Sequence, residues 1–131
     1  MKIDNKLLDN LTSQAQASPR LRMNLDLRTS AQDGSQRMLN AIEPGSVVPV
    51  HRHQKSSETL VVLRGRVVEE YYSPDGSVEE SVEVAACGPV CALNFPAGRW
   101  HSLRALESGT VIIEMKDGAY EPISPADILS M

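Results

Sequence analysis

The feature that most constrains the fold is a succession of short apolar runs separated by residues that favour turns, among them Pro-Gly, Asp-Gly and Ser-Gly pairs. Strands of this length at this spacing predict an all-β sandwich or barrel. The clearest hairpin signal is Ser-Pro-Asp-Gly at 73–76, because Asp-Gly readily takes the positive φ of a tight turn. The predicted strands after the first cover residues 37–42, 47–53, 59–63, 67–72, 81–85, 91–95, 101–105 and 110–116.

The first part of the chain has a different period. Apolar residues at 3, 7, 8, 11 and 15 share one helical face, and Asp4 is a suitable N-cap, so a helix is predicted over 4–17. From Leu21 to Leu27 apolar and polar residues alternate, which predicts a half-buried strand. We therefore predict one domain, with a helical segment at 1–19, a β-barrel at 20–118 and a tail at 119–131 that contains a short helical turn at 126–129.

Composition narrows the possible functions. Apolar residues make up 41% of the chain, which favours a folded protein over disorder. The net charge is -4 and Lys and Arg form no dense cluster, so no nucleic-acid partner is expected. No apolar stretch is long enough for a membrane span and no secretory signal is visible, so we expect a cytoplasmic protein with reduced thiols at Cys87 and Cys91.

The chain has three histidines, and all lie beside predicted strands. His51 and His53 are two residues apart, which on a strand places both rings on one face. Glu58 opens the next predicted strand after a polar turn, and His101 follows the turn at 96–100. Such a pair of histidines also occurs on half-exposed strand faces, but three imidazoles and a carboxylate suit Fe, Mn, Zn or Ni far better than Ca or Mg. We predict that His51, His53, Glu58 and His101 bind one divalent transition-metal ion and leave two positions of an octahedral shell open.

The spacing Gly45-x5-His51-x-His53-x4-Glu58-x6-Gly65 matches the first sequence motif of the cupin superfamily. The chain therefore resembles a single-domain cupin, and this resemblance implies a double-stranded β-helix, or jelly-roll barrel, preceded here by a short N-terminal α-helix. This motif contains three of the four predicted metal ligands, His51, His53 and Glu58.

The second cupin motif is matched only at its centre, by Pro96, Gly98 and His101. Val90 and Ala105 occupy the positions where the family has Gly and Asn. Neither position supplies a metal ligand in the family, so the departures affect the local turn and strand packing rather than the metal ligands.

The predicted N-terminal helix and the segments 18–24, 36–45, 99–103 and 105–107 are together similar to those of the WbuC-type cupin-fold metalloproteins. This resemblance implies a bacterial protein that acts on or binds a small polar molecule, such as a sugar or sugar nucleotide, in surface-polysaccharide metabolism. It does not supply a reaction. The alternatives are a non-catalytic saccharide-binding module and an iron-dependent dioxygenase-like enzyme. Cupins commonly pair through sheet edges, so a homodimer is expected.

Four residues are candidates for substrate binding. Arg22 and Asn24 share a face of the first predicted strand and Arg37 lies near the second, so they are placed to bind an anionic or hydroxyl-rich ligand. The alternative is a solvated strand face that pairs with acidic neighbours. Trp100 either stacks on a sugar ring or packs at the mouth of the barrel. No general base is identified, and whether the protein is an enzyme stays open.

Overall fold

The computed structural model describes residues 1–130. It contains one α-helix, eight β-strands and a short 3-10 helix at Pro125–Asp127. The helix is α1 (Asn5–Ala17). The strands are β1 (Arg22–Asp26), β2 (Ser35–Ile42), β3 (Glu58–Arg64), β4 (Arg66–Tyr72), β5 (Val78–Ala85), β6 (Ala92–Phe95), β7 (Trp100–Ala105) and β8 (Thr110–Asp117).

The strands form two antiparallel sheets that enclose one side-chain core. The larger sheet has the order β1-β2-β8-β3-β6 and the smaller has the order β5-β4-β7. Inward-facing residues of both sheets pack together, because alternate side chains of a strand point to opposite faces. The apolar core between the sheets consists of Ile42, Leu60, Val62, Val67, Val84, Leu103, Ala105 and Ile112. The predicted all-β architecture is confirmed.

Helix α1 covers the outer face of the larger sheet. It begins after Asp4, whose carboxylate accepts a hydrogen bond from the Leu7 amide, as the sequence predicted. Its buried residues pack against the outward-facing residues of β2 and β8, namely Leu39, Ala41 and Val111. Strand β2 is therefore apolar on both faces, with Ile42 in the inner core and Leu39 beneath the helix.

Three predicted elements differ from the structure. Residues 47–53 do not form a continuous strand, because Pro49 has no amide hydrogen and only His51 makes isolated β-bridges. Strand β1 begins one residue later than the predicted alternation, since Leu21 has a left-handed backbone with a φ of 55°. The helical turn predicted at 126–129 is the 3-10 helix Pro125–Asp127. The predicted hairpin at 73–76 is confirmed, with a φ of 92° at Gly76.

Gly65 joins β3 to β4 through a turn that only glycine fits. Its φ is 83°, in the left-handed region, and an added Cβ would lie 2.8 Å from the Cα of Thr110. The backbone of β8 cannot move away without disturbing its pairing with β3. The last glycine of the first cupin motif therefore has a steric role.

We predict that Gly65→Ala lowers the free energy of unfolding by about 2–5 kcal/mol, through left-handed strain and the clash with Thr110. Urea denaturation would measure this loss. Gly34→Ala is the matched control, because no atom lies within 4 Å of its added Cβ. Equal stability of the two variants would contradict the steric role of Gly65.

Glu69 is a buried carboxyl group in the core. It lies on the inward face of β4 with 0% of its surface exposed, and within residues 1–130 neither carboxylate oxygen has a hydrogen-bond partner. Burial, together with the negative charges of Glu58 on β3, Glu114 on β8 and the adjacent Glu70, raises the pKa of Glu69 to about 9. Glu69 is therefore protonated and neutral at pH 7.

This raised pKa makes the fold less stable as pH rises. Below the ordinary pKa of 4.5 the carboxyl is protonated in both the folded and unfolded states, and between pH 4.5 and 9 only the folded state holds the proton. The free energy of unfolding therefore falls across that window. Through Glu69, the free energy of unfolding of the native protein should fall by roughly 2–4 kcal/mol between pH 5 and pH 8. We expect Glu69→Gln to lack this fall.

Urea denaturation of the protein with a chelator at both pH values would test the role of Glu69, with Glu80→Gln on the exposed face of β5 as control. The control should keep the pH dependence of the native sequence. An unchanged pH dependence in Glu69→Gln would show that Glu69 does not titrate in this range.

Candidate metal centre

The three histidines converge at one end of the space between the sheets. His51 and His53 lie on the segment between β2 and β3, and His101 is the second residue of β7. The ring centroids of His51 and His101 are 4.4 Å apart, and those of His53 are 5.1 Å from His51 and 5.7 Å from His101. One nitrogen from each ring lies within 4.8 Å of the others. We call these three residues the histidine site.

Backbone hydrogen bonds bring the two parts of the histidine site together. The amide of His51 donates to the carbonyl of His101 at 3.0 Å, and the amide of His101 donates back at 2.9 Å. The amide of Gly98 donates to the carbonyl of His53 at 2.8 Å. The turn before β7 and the segment before β3 are thus fixed against each other, although the segment containing His51 is not a strand.

Hydrogen bonds to carbonyl groups orient two of the rings. The Nδ1 atom of His51 is 2.8 Å from the carbonyl oxygen of Pro49, and the Nδ1 atom of His101 is 2.8 Å from that of Arg99. A carbonyl oxygen only accepts hydrogen bonds, so in both rings Nδ1 carries the proton and donates it. In the neutral rings the Nε2 lone pairs are therefore free to bind a metal.

Burial keeps the imidazoles neutral. It lowers the pKa of His101 to about 3, with a further contribution from the charge of His51. It lowers the pKa of His53 to about 4, helped by the charge of Lys116, and it also lowers the pKa of His51. Near pH 7 each ring then has a nitrogen lone pair available, which is the form of histidine that ligates a metal.

Glu58 lies beside the histidine site. It is the first residue of β3 and only 3% exposed. Its Oε2 atom is 3.6 Å from Nε2 of His101, and its Oε1 atom is 3.9 Å from Nε2 of His53. These distances are too long for hydrogen bonds. They lie close to the roughly 3 Å that separates adjacent ligand atoms around an ion with bonds of about 2.1 Å, so a small inward movement would fit one ion.

Two charged residues of β8, Glu114 and Lys116, lie beside Glu58. Neither was predicted from the sequence to be part of the site. The Nζ atom of Lys116 donates to Oε1 of Glu58 at 3.1 Å and lies 3.7 Å from Oε2 of Glu114. Burial and the charge of Glu114 raise the pKa of Glu58 despite the opposing charge of Lys116. Burial lowers the pKa of Lys116, but the two carboxylates outweigh it and the net shift is upward. The signal in the sequence was the alternation Ile112, Glu114, Lys116, which places two charges on an inward face.

A cavity of about 990 Å³ extends from the histidine site across the inner face of the larger sheet. Arg22 and Asn24, two of the predicted substrate-binding residues, line it. Asn40 is opposite Asn24 in the β1–β2 pairing. The Nδ2 atom of Asn40 is 3.5 Å from Glu114, whereas its Oδ1 atom is buried without a partner in residues 1–130. The cavity therefore presents both hydrogen-bond donors and acceptors.

The other two predicted substrate-binding residues do not line this cavity. Arg37 is on the outward face of β2, where it donates to the carbonyl of Leu27 and forms an ion pair with Asp33. Trp100 is 8% exposed, and the guanidinium of Arg52 lies 4.5 Å from the centroid of its ring. Arg37 and Trp100 therefore contact other parts of the protein rather than the cavity.

The two cysteines are exposed and are not joined by a disulfide bond. Neither lines the main cavity. Cys87 lines a separate pocket of about 450 Å³.

The tail after β8 holds the histidine site from the side opposite β7. The amide of Arg52 donates to the carbonyl of Asp127 at 3.0 Å, and the amide of Leu129 donates to the carbonyl of Val50 at 2.8 Å. The carboxylate of Asp127 also accepts from the side chains of Arg52 and Gln54, at 3.0 Å and 2.6 Å. Earlier residues of the tail, including Tyr120 and Ile123, form one wall of the cavity.

We predict that Asp127→Ala loosens residues 50–54, because it removes both side-chain hydrogen bonds of Asp127 to this segment. Hydrogen exchange should show the Arg52 amide exchanging roughly tenfold faster, the equivalent of about 1.4 kcal/mol. Glu121→Ala is the control, since its pair with Lys55 is highly exposed on both sides. If Asp127→Ala left the exchange rate of the Arg52 amide unchanged, the side-chain hydrogen bonds of Asp127 would not stabilise residues 50–54.

Within residues 1–130, no helix combines the length and the apolar character needed to cross a bilayer.

Solved structures show what fold this arrangement defines. An oxalate oxidase in complex with the substrate analogue glycolate has 17% identity and a TM-score of 0.66, over 83% of this chain and 57% of that one. The protein TT1209 from Thermus thermophilus has 24% identity and a TM-score of 0.63, over 90% and 98%. A Bacillus subtilis oxalate decarboxylase, described for its Mn(II) centres, has 18% identity and a TM-score of 0.59, over 84% and 28%. This chain thus spans little more than half of the oxidase and about a quarter of the decarboxylase.

These likenesses and the two facing sheets define the cupin jelly-roll fold, with a short N-terminal helix and a three-histidine metal-site candidate. The predicted fold class is confirmed. More narrowly, the chain belongs to the family described as a domain of unknown function, DUF6016, whose model matches residues 3–84. That match includes His51, His53 and Glu58 but ends before His101. No curated protein is significantly similar to this chain.

Proposed function

We propose that His51, His53, Glu58 and His101 bind one divalent transition-metal ion, and that the adjoining cavity binds a small polar molecule at this ion. The observation that carries the proposal is the convergence of three neutral imidazoles, two of which lie 3.6 Å and 3.9 Å from the carboxylate oxygens of the buried Glu58, at distances that no hydrogen bond explains. An ion is the simplest group that satisfies the free nitrogen atoms of the three rings and Oε2 of Glu58 together, since Lys116 hydrogen-bonds only Oε1.

The donor set favours Fe, Mn, Zn or Ni, since imidazole and carboxylate together suit first-row transition metals. The Mn(II) centres of the similar oxalate decarboxylase support manganese as one of these. When bound, such an ion supplies Lewis-acid chemistry by polarising an oxygen atom of the ligand. Lys116 positions Glu58 by holding Oε1, and the fixed tautomers of His51 and His101 present Nε2.

For the ligand we propose a sugar or sugar derivative, in line with the resemblance to WbuC-type proteins and a role in bacterial surface-polysaccharide metabolism. The mixture of amide, guanidinium and carboxylate groups in the cavity supports this proposal, because each hydroxyl group of a sugar both donates and accepts. The similar oxalate oxidase was solved with glycolate, a small oxygen-rich molecule.

We also propose that the chain forms a homodimer and acts in the cytoplasm. The edge strands β1 and β6 of the larger sheet support pairing, since an edge leaves backbone groups without a strand partner.

Metal content measured by elemental mass spectrometry tests the proposed centre. We expect about one equivalent of a transition metal in the native protein and less than about 0.1 equivalent in His53→Ala and His101→Ala. Glu58→Gln should weaken metal affinity at least roughly tenfold. The double variant Cys87→Ser/Cys91→Ser is the control and should retain the metal. Full metal content in either histidine variant would refute the assignment.

Oxygen uptake and product formation by the metal-loaded protein would then separate the proposed functions. Turnover of a sugar derivative without oxygen supports a Lewis-acid enzyme, and oxygen consumption supports the dioxygenase-like alternative. Ligand binding without turnover supports the saccharide-binding module.

A further inference from the structure

Two arginines, Arg20 and Arg22, line the cavity, and within residues 1–130 neither forms an ion pair with a carboxylate. The Nη1 atom of Arg22 donates to the carbonyl of Val47 at 2.8 Å and to Oγ of Ser46 at 3.2 Å. Ser46 is itself 6% exposed and donates to the carbonyl of Arg20 at 2.7 Å. These neutral acceptors hold the half-buried guanidinium of Arg22 in place without balancing its charge.

Other cations of the cavity are neutralised by carboxylates. Arg28 pairs with Asp26, Arg52 pairs with Asp127, and Lys116 pairs with Glu58. Within residues 1–130, no carboxylate oxygen lies within 4 Å of the guanidinium nitrogens of Arg20 or Arg22. Burial and the neighbouring charge of Arg20 lower the pKa of Arg22, so the two cations are close enough to repel each other. Such a pair favours binding of an anion.

A buried polar atom lies along the same surface. Asn24 is two residues beyond Arg22 on β1 and is paired with Asn40 on β2. The Oδ1 atom of Asn40 is buried without a partner in the described chain, and its residue lines the cavity. A rotation of the Asn40 side chain towards the cavity would let a ligand hydroxyl group satisfy this acceptor, because leaving it unpaired costs about 1–3 kcal/mol.

A short length of chain joins the segment that holds Arg22 to the histidine site. Val47, which binds Arg22, and His51 are four residues apart, which limits their Cα separation to about 14 Å. Both sites open into the same cavity of about 990 Å³. A phosphorylated sugar or polyol long enough to span the cavity would place its oxygen atoms at the histidine site and its phosphate at the arginines.

We propose that Arg20 and Arg22 form a phosphate-binding site and that the ligand of this cavity is a phosphorylated polyhydroxy compound. The guanidinium group matches phosphate geometry with parallel hydrogen bonds, and two of them balance a dianion. This inference deepens the proposed function, because it assigns the chemical class of the ligand bound next to the metal.

Binding of inorganic phosphate to the metal-stripped protein tests the site, since phosphate then has no ion to ligate. Isothermal titration at low salt should show one phosphate bound by the native chain, with affinity at least tenfold weaker in Arg20→Gln and in Arg20→Gln/Arg22→Gln. Arg20→Gln is the cleaner variant, because its side chain makes no hydrogen bond within residues 1–130. Arg104→Gln is the control, since Arg104 is exposed outside the cavity and 3.8 Å from its nearest carboxylate.

Phosphate affinity unchanged by the double substitution, or no binding by the native chain, would overturn the proposal. A native chain that binds phosphate no more tightly than acetate would overturn it as well. A measurement of metal content distinguishes failure of the phosphate-binding proposal from failure of the proposed metal centre. The double variant should retain about one equivalent of metal, whereas a native chain that lacks metal but binds phosphate through the arginines would refute only the metal centre.

Discussion

The reciprocal pair of backbone hydrogen bonds between His51 and His101 is the contact on which the candidate metal centre depends. It joins two parts of the chain that are separated in sequence by the four strands β3 to β6. A shift of one residue in this pairing would turn the His51 ring away from the others, because side chains alternate along extended backbone. The same backbone therefore fixes both the spacing of the ligands and the end of the barrel at which they meet.

Several ionisable groups occupy positions where an apolar side chain would give a more stable fold. Glu58, Glu69 and Lys116 all lie within the barrel. Glu58 and Lys116 contact each other and Lys116 also lies near Glu114, whereas Glu69 has no hydrogen-bond partner within residues 1–130. A barrel selected for stability alone would not retain such a set, because each buried carboxyl lowers stability. Such a group of buried charges fits a molecule in which binding capacity outweighs stability.

Much of the site was predictable because spacing in the sequence encodes it directly. The positions of His51, His53 and Glu58 follow a fixed interval, and the structure places them together even though residues 47–53 are not a strand. The face of a strand was harder to infer. In β2 both faces are apolar, since Leu39 packs under α1 and Ile42 packs inside, so the pattern did not show that Arg37 points outward. Lys116 and Glu114 were missed because a charged pair near a strand end is usually solvated.

The tail after β8 contacts both the cavity and the backbone of the histidine site. Its earlier residues form a wall of the cavity, and Asp127 a few residues later holds the backbone between His51 and His53. A ligand in the cavity would contact the same piece of chain that holds the proposed metal ligands. Under that proposal, whatever affinity the ligand adds to binding of the ion must equal the affinity that the ion adds to binding of the ligand.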